Sequence, residues 1–237
     1  GDQNLYGEGS FLTCCQRMFG VKDGTKAWGA FNEAFDLLPL CAIVDKRVFC
    51  VHGGIPRHAR GPDRRLEMLS NREFPRLGLL EHGPKDSAVM RQQKALAQEL
   101  LWNDPADSEQ GLDEHGFGPN CRGPDVSTFG LKAIETFLQN HRLQYIIRAH
   151  EVKLEGLRVC KSAQVVTVFT SSYYCGGDNA SAAVYISEGK IRFVSHMPSL
   201  LPVALSPPSP HVSPPRLGPP SVKRNTLTGP RSPTGRR

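Results

Sequence analysis

Cys41–Pro56 reads CAIVDKRVFCVHGGIP, and the rest of the chain is interpreted outward from this stretch. Two short apolar runs flank a polar pair at residues 45–46, which predicts a β-hairpin. The second strand ends at His52, and two glycines follow directly. Glycine allows a close approach of backbone to a neighbouring group. The pattern therefore predicts a histidine at the rim of a sheet, beside a ligand.

The chain length and composition are typical of a globular protein without a membrane segment. The chain has 237 residues, enough for one large domain or two small ones with a buried core. No apolar run reaches the roughly 18 residues of a membrane span, and no secretory pattern opens the chain. The seven cysteines include no CxxC pair, which argues against a zinc ribbon and favours reduced thiols in the cytoplasm or nucleus.

The composition changes after residue 195. Residues 196–237 contain eleven of the 19 prolines, six of the 29 Lys and Arg residues, and none of the 23 acids. The body at 1–195 is therefore neutral, and nucleic acid is not favoured as its partner. We expect a disordered basic Pro/Ser-rich tail at 196–237, because it has too little apolar surface to fold. Such a tail is suited to domains that read PxxP segments, although a solvated tail without a fixed partner is the simpler interpretation.

Periodicity predicts helices interleaved with short strands. Phe11–Phe19, capped by Ser10, has helical spacing, and so do residues 25–38, 86–101 and 131–142, with a short piece at 65–72. The aromatic face of the second helix predicts core packing. Strands are expected at 143–149, 159–160 and 165–170, and a hairpin at 182–187 and 190–195. Residues 107–125 read as a loop, and Pro105 places Asp104 on a loop that leaves a helix.

Polar side chains at strand ends are the candidates for chemistry. Three strands end at His52, His150 and Tyr174, and Asp104 and Arg122 lie between them in the sequence. Neutral imidazole suits zinc, iron or manganese, although a lone histidine is more often an ordinary core group. A guanidinium fork fits an oxyanion such as phosphate. Arg122 beside a glycine is therefore a candidate phosphate ligand, with an ordinary surface arginine as the alternative.

Five motifs in order resemble one known family. They are VFCVHGGIP at 48–56, LLWNDP at 100–105, CRG at 121–123 with TFG at 128–130, IIRAHE at 146–151, and YYCG at 173–176. The chain thereby resembles the PPP-type serine/threonine protein phosphatases of the calcineurin-like metallophosphoesterase superfamily. The resemblance runs from about Ser10 to Val194 and leaves the tail outside.

The resemblance implies an α/β fold, a four-layer α-β-β-α sandwich whose N-terminal part is missing here. It implies a site with two metal ions (manganese, iron or zinc) that hydrolyses phosphoserine and phosphothreonine esters with a metal-activated water. His52 and His150 correspond to metal ligands, Arg122 and Tyr174 to phosphate-binding residues, and Asp104 and Arg148 to catalytic support. Phosphoproteins are the implied substrates, and regulatory subunits are possible partners.

The resemblance also implies what this sequence lacks. The family motifs GDxHG, GDxxDRG and GNHE, which supply the other metal ligands, do not occur. We therefore expect residues 1–195 to be a partial catalytic domain, its C-terminal two-thirds, holding at most one metal ion weakly. The alternative is an inactive pseudophosphatase that binds phosphoproteins or regulatory subunits without turnover.

Overall fold

The computed structural model of the chain describes residues 9–57 and 86–196. The helices are α1 (Phe11–Phe19), α2 (Val21–Phe35), α3 (Ala88–Trp102) and α4 (Leu131–His141), and a 3-10 turn spans Tyr174–Gly176. The strands are β1 (Cys41–Val44), β2 (Val48–Val51), β3 (Asp104–Pro105), β4 (Phe117–Asn120), β5 (Gly123–Phe129), β6 (Tyr145–Arg148), β7 (Leu157–Cys160), β8 (Val165–Val168), β9 (Ser181–Ser187) and β10 (Lys190–His196). The helical piece expected at 65–72 and the tail beyond residue 196 lie outside the described residues.

A five-stranded mixed sheet in the order β1-β2-β6-β8-β7 forms the centre of the fold. The opening hairpin of β1 and β2 is antiparallel, as predicted, while β2, β6 and β8 are parallel neighbours. The carboxyl ends of parallel strands meet at one edge of a sheet. The residues that follow β2 and β6 therefore emerge side by side, although His52 and His150 are far apart in sequence.

The two faces of this sheet are covered differently. Helices α3 and α4 pack on one face, where Phe49, Leu100, Ile134 and Ile146 are fully buried. The β9–β10 hairpin packs on the other, over a small cluster centred on Val48, Ile147 and Val166. This order of helix, sheet and sheet confirms the mixed α/β class. Within the described residues, no helix has the length and apolar character needed to cross a membrane.

Helix α1 has the predicted bounds and cap, whereas α2 does not. Ser10 Oγ accepts a hydrogen bond from the Thr13 amide at 3.2 Å and begins α1. Helix α2 begins at Val21 and ends at Phe35, earlier than the predicted 25–38. A Cβ at Gly24 would lie 2.5 Å from the Cys15 carbonyl oxygen. The two helices therefore touch through their backbones at this glycine, which explains why α2 starts directly after α1.

The aromatic face of α2 is not buried as predicted. Phe31 is 46% exposed and Phe35 is 42% exposed, and both rings contact Phe11 of α1, at 5.4 and 6.3 Å between centroids. The prediction of core packing was wrong because helical spacing identifies an apolar face but not the element that covers it. The same limit applies to α3, where Val89 and Met90 are exposed while Leu96 is buried.

The segment at 107–125 was predicted as loop and in fact contributes to a second sheet. Strands β4 and β5 pair antiparallel, with a break in register at Pro119/Asn120, and β3 pairs parallel with β5. Asp104 consequently lies in a short strand rather than in a loop. The prediction failed because the glycines and prolines in this segment hide the alternation that identifies strands.

Candidate active site

Two histidine rings face each other at the edge where β2 and β6 end. His52 Nε2 lies 3.1 Å from His150 Nδ1, and the ring centroids are 4.9 Å apart. The edge of Trp102 packs against the His150 ring at 5.1 Å between centroids. The Ala149 amide donates to the His52 carbonyl at 3.0 Å and fixes the two loops in register. The structure thus brings together two residues that are separated by 98 positions.

The two glycines after His52 are required by the end of α3. A Cβ at Gly53 would lie 2.4 Å from the Leu101 carbonyl carbon, and one at Gly54 would lie 2.2 Å from the Phe129 ring. Both glycine amides donate to the Leu100 carbonyl. The sequence had predicted room for a ligand at these glycines. The space is instead taken by the helix terminus at Gly53 and by the Phe129 ring at Gly54, so the glycines dock the His52 loop against the segment that carries Asp104.

Asp104 links two arginines that come from different sheets. Its Oδ2 accepts from Arg122 Nε at 2.7 Å and from Asn120 Nδ2 at 3.1 Å. Its Oδ1 accepts from Arg148 Nη2 at 2.8 Å. One carboxylate therefore holds both guanidinium groups through charge-assisted hydrogen bonds, which are about twice as strong as neutral ones.

Arg148 is buried beneath the histidine pair and is saturated with acceptors. Its side chain is fully inaccessible, and Nε donates to the Gly53 carbonyl at 2.6 Å. Nη1 donates to Glu151 Oε2 at 2.6 Å, and Nη2 also reaches the Asn103 carbonyl at 3.3 Å. A buried charge is tolerated only when it is paired and hydrogen-bonded. Arg148 therefore holds the loops of the site in place instead of facing solvent.

Arg122 lies in the turn between β4 and β5 and faces outward. Asn120 Oδ1 accepts from the Arg122 amide at 2.9 Å, which fixes the turn. Its Nη2 reaches the His150 carbonyl at 3.4 Å, and 32% of the side chain is exposed. Its Nη1 makes no hydrogen bond within residues 9–57 and 86–196. Arg122 thus presents an N–H edge beside the histidine pair, in a position that suits an incoming oxyanion.

Tyr174 lies on a separate loop, and within the described part of the chain the hydrogen bonds that join the other five candidates do not include it. Asn179 Oδ1 accepts from the Tyr174 amide at 2.9 Å, and Asn179 Nδ2 donates to the Ser171 carbonyl at 2.6 Å. The Tyr174 ring packs edge-on against Phe169. Tyr173 just before it has a φ of 52°. A left-handed conformation in a non-glycine residue carries strain, which functional loops often store.

Burial and positive charge keep both histidines neutral. Burial, followed by the charge of Arg122, lowers the pKa of His150 to about 4. Burial, followed by Arg148 and Arg122, also lowers the pKa of His52. Burial raises the pKa of Asp104, but hydrogen bonds from Arg122 and Asn120 outweigh it, so the net shift is downward. At neutral pH the site therefore has two free imidazoles beside an ionised carboxylate.

The histidine pair has the geometry of two ligands of one metal ion. Two nitrogens that bind the same ion, each at about 2.0–2.1 Å, lie 3.1 Å apart when the nitrogen–metal–nitrogen angle is roughly 100°. Metal binding needs neutral imidazole, and the lowered pKa values meet this condition. No group of three or more His, Cys, Asp or Glu residues suited to a metal ion occurs among the described residues. The residues present therefore fit half of a metal centre.

Four further residues support the site and were not identified from the sequence: Asn103, Asn120, Glu151 and Asn179. Asn103 is fully buried, donates to the Ile55 carbonyl at 2.8 Å and accepts from the Ser127 amide at 2.7 Å. An asparagine before Asp104, and an acid directly after His150, were the available signals. Neither signal is specific, because asparagine is common wherever a helix ends.

Comparisons with known proteins show the family to which the chain belongs. The family model described as Calcineurin-like phosphoesterase matches residues 11–154. The serine/threonine-protein phosphatase BSL2 of Arabidopsis thaliana is 32% identical over 205 residues, which are 86% of this chain and 18% of that protein. A protein serine/threonine phosphatase from Saccharomyces cerevisiae, described as similar to human phosphatase PP5, superposes with a TM-score of 0.59 at 22% identity. That match covers 85% of this chain and 59% of the yeast one, so this chain spans only part of both relatives.

Proposed function

Because this chain belongs to the calcineurin-like phosphoesterase family, we propose that it forms part of the catalytic domain of a serine/threonine protein phosphatase. The observation that carries the proposal is the 3.1 Å approach of His52 Nε2 to His150 Nδ1 beside Arg122. Two histidines placed like the ligands of one metal ion, next to the outward-facing guanidinium of Arg122, are suited to binding a phosphate ester. The proposed reaction is hydrolysis of phosphoserine and phosphothreonine in proteins.

Each candidate residue has a separate role in the proposed reaction. Arg122 binds two phosphate oxygens through its outer N–H groups, and Tyr174 closes the other side of the phosphate pocket. Asp104 orients Arg122, and Arg148 holds Asp104 and the His52 loop. Fixed donors of this kind stabilise the charge that develops on the phosphoryl oxygens.

His52 and His150 are the proposed ligands of a divalent metal ion. The family uses such ions, and manganese, iron and zinc all accept imidazole. When bound, the metal supplies an activated water at neutral pH. With two protein ligands instead of the usual set, the chain is proposed to hold at most one ion, and weakly. The two histidines contribute by remaining neutral and pre-aligned.

A second function is favoured by the incomplete ligand set. Among the described residues no third metal ligand joins the histidine pair, whereas Arg122 and Asp104 are fully assembled. A pseudophosphatase would use that assembly to bind phosphoproteins or regulatory subunits without turnover. The proposed setting is the cytoplasm or nucleus in either case, which agrees with the seven free cysteines.

Phosphate release from a phosphoserine peptide, with and without added Mn²⁺, separates the two functions. The enzyme predicts metal-stimulated release that His52→Ala abolishes and His115→Ala, a histidine outside the pair, leaves intact. The binding module predicts peptide binding without release. In both cases Arg122→Ala weakens peptide binding about 10- to 100-fold, since a hydrogen bond to a charged group contributes roughly 1.5–3 kcal/mol.

Titration calorimetry with Mn²⁺ tests the histidine pair independently of activity. We expect weak binding of one ion or none, and any binding heat should disappear in His52→Ala but persist in His115→Ala. Binding of two ions per chain would contradict the proposal that this chain carries only half of a metal centre. Absence of both peptide binding and phosphate release would contradict both functions.

A further inference from the structure

A polar pocket of about 200 Å³ is lined by residues of β7 and β8, of the loop after β6 and of the segment at 105–107. Three cations line it, Lys153, Arg158 and Lys161, together with the acids Asp107 and Glu151. None of the six candidate active-site residues is among its lining residues. Pockets for drug-sized ligands measure about 300–1,000 Å³, so this one suits a smaller ligand. We call it the basic pocket, after these three cations.

Two lining residues of the basic pocket, Arg158 and Thr167, belong to a row of three residues across the central sheet. Thr167 of β8 is paired in register with Arg148 of β6 on one side and with Arg158 of β7 on the other. Residues paired across strands place their side chains on the same face. Thr167 is 1% exposed and lines the pocket. Thr167 thus contributes a hydroxyl to the pocket lining from the strand that lies between those of Arg148 and Arg158.

The acids near the pocket only partly neutralise its cations. Glu151 divides its two oxygens between Arg148, at 2.6 Å, and Lys153, at 3.1 Å. Asp107 is 97% exposed and 3.9 Å from Arg158, which makes it a weak partner in water. Lys161 pairs with Glu109, whose side chain is half exposed. Counted over its lining side chains alone, the pocket has three cations against two acids, and a small polar cavity with such an excess concentrates anions.

Cys160 also lines the pocket, and the three cations affect its thiol. Burial raises the pKa of the Cys160 thiol, while Arg158, Lys161 and Lys153 act in the opposite direction. All three cations therefore act on the same sulfur atom. Because the thiol stays neutral at physiological pH, it does not oppose an anion there.

We propose that the basic pocket binds a small oxyanion, with phosphate as the simplest member, between Arg158, Lys153, Lys161 and the Thr167 hydroxyl. Arg158 supplies a planar fork, the two lysines supply mobile point charges, and the threonine hydroxyl supplies a donor. The proposal does not depend on phosphatase activity.

Alkylation of Cys160 by iodoacetamide, followed by peptide mass spectrometry, tests the proposal in the full chain without added metal. Cys121 adjoins Arg122 and reports phosphate at the candidate active site, while the exposed Cys14 serves as the internal control. We expect phosphate, at a concentration about twice its dissociation constant for the pocket, to slow alkylation of Cys160 roughly threefold. At that concentration about one third of the protein has an empty pocket. Cys14 should be unaffected.

Arg158→Gln should abolish this protection, and Arg192→Gln, an exposed arginine of β10 that does not line the pocket, should keep it. Lys161→Gln provides a second variant in case Arg158→Gln fails to fold. A phosphoserine peptide forms the second arm of the experiment. Protection by the peptide as well as by inorganic phosphate identifies the phosphoryl group as the ligand, and protection by inorganic phosphate alone identifies the free anion.

Three results would overturn the anion site. The first is an alkylation rate of Cys160 that does not respond to phosphate in the unmodified chain. The second is equal protection in Arg158→Gln, Lys161→Gln and the unmodified chain. The third is equal protection by sodium chloride at the same ionic strength, which would mean that general screening is responsible. None of these results bears on Cys121, so a failure here is distinguishable from a failure of the active-site proposal.

Discussion

At the scale of single residues, the site depends on one carboxylate shared by two arginines. Asp104 joins Arg122, which faces solvent, to Arg148, which is buried. Glu151 provides the second acid for Arg148, at 2.6 Å. The buried arginine therefore has two acidic partners, whereas Arg122 shares the one acidic partner that it has among the described residues. The remaining positive charge lies where a phosphate would arrive.

Replacement of Arg148 by lysine tests this arrangement. Lysine keeps the charge but cannot donate simultaneously to the Gly53 carbonyl, Asp104 and Glu151, because it lacks the planar fork. We expect a loss of about 2–4 kcal/mol in the free energy of unfolding, as buried acceptors lose their partners. Urea denaturation measures the change. Arg192→Lys, on an exposed strand, should stay within about 0.5 kcal/mol, and an equal loss in both variants would contradict the role of the fork.

At the scale of elements, the position of the histidine loop is set by its contact with the end of α3. Gly53 and Gly54 both bind the Leu100 carbonyl, and neither leaves space for a side chain. The C-terminus of α3 leads directly into Asn103 and Asp104. A single helix terminus thus positions the loop that carries one proposed metal ligand and the carboxylate that orients Arg122.

Two glycine-to-alanine changes should have opposite effects. At Gly53 the new methyl would meet the Leu101 carbonyl carbon at 2.4 Å, so the loop must shift, and we expect a cost of about 1–3 kcal/mol. At Gly29, within α2, nothing lies within 4 Å of the new methyl, and we expect a gain of up to about 1 kcal/mol from helix propensity. Thermal denaturation of both variants measures the difference. A neutral Gly53→Ala would show that α3 does not fix the loop.

The elements that the sequence predicted well are those with a local signal. Ser10 caps α1, polar residues close the β1–β2 turn, and the β9–β10 hairpin has the expected pairing. The β4–β5 hairpin was missed because its pairing follows tertiary contacts and not alternation. The exposure of Phe31 was missed because no local pattern reveals whether a neighbouring element covers it.

At the scale of the whole molecule, the site is drawn from distant parts of the chain. Strand ends and motif order were sufficient to nominate the six site residues, and the structure joins five of them through short contacts. Asn120 and Glu151 could not be nominated, because their roles depend on contacts with Asp104 and Arg148 that only the three-dimensional structure shows. The same is true of the basic pocket, whose cations come from a loop and from β7 and its turn.

Removal of residues 197–237 tests the predicted domain boundary. The sequence predicts that this proline-rich segment adds no buried apolar surface, and a segment of that kind contributes little to stability. We expect the free energy of unfolding of the remainder to change by less than about 0.5 kcal/mol. Urea denaturation of the shortened and full chains, compared side by side, provides the measurement. A clear loss of stability would contradict the boundary at residue 195.

The parallel pairing of β2 with β6 has a consequence for the order of events during folding. Parallel neighbours need a long crossover, and here α3 and α4 lie between the two strands in the chain. Non-local pairings of this kind form slowly, since loop closure precedes any gain from contact. His52 and His150 meet only once that crossover has closed. An ion that requires both histidines would therefore bind only to chains in which β2 and β6 have paired, and its uptake would follow closure of the crossover.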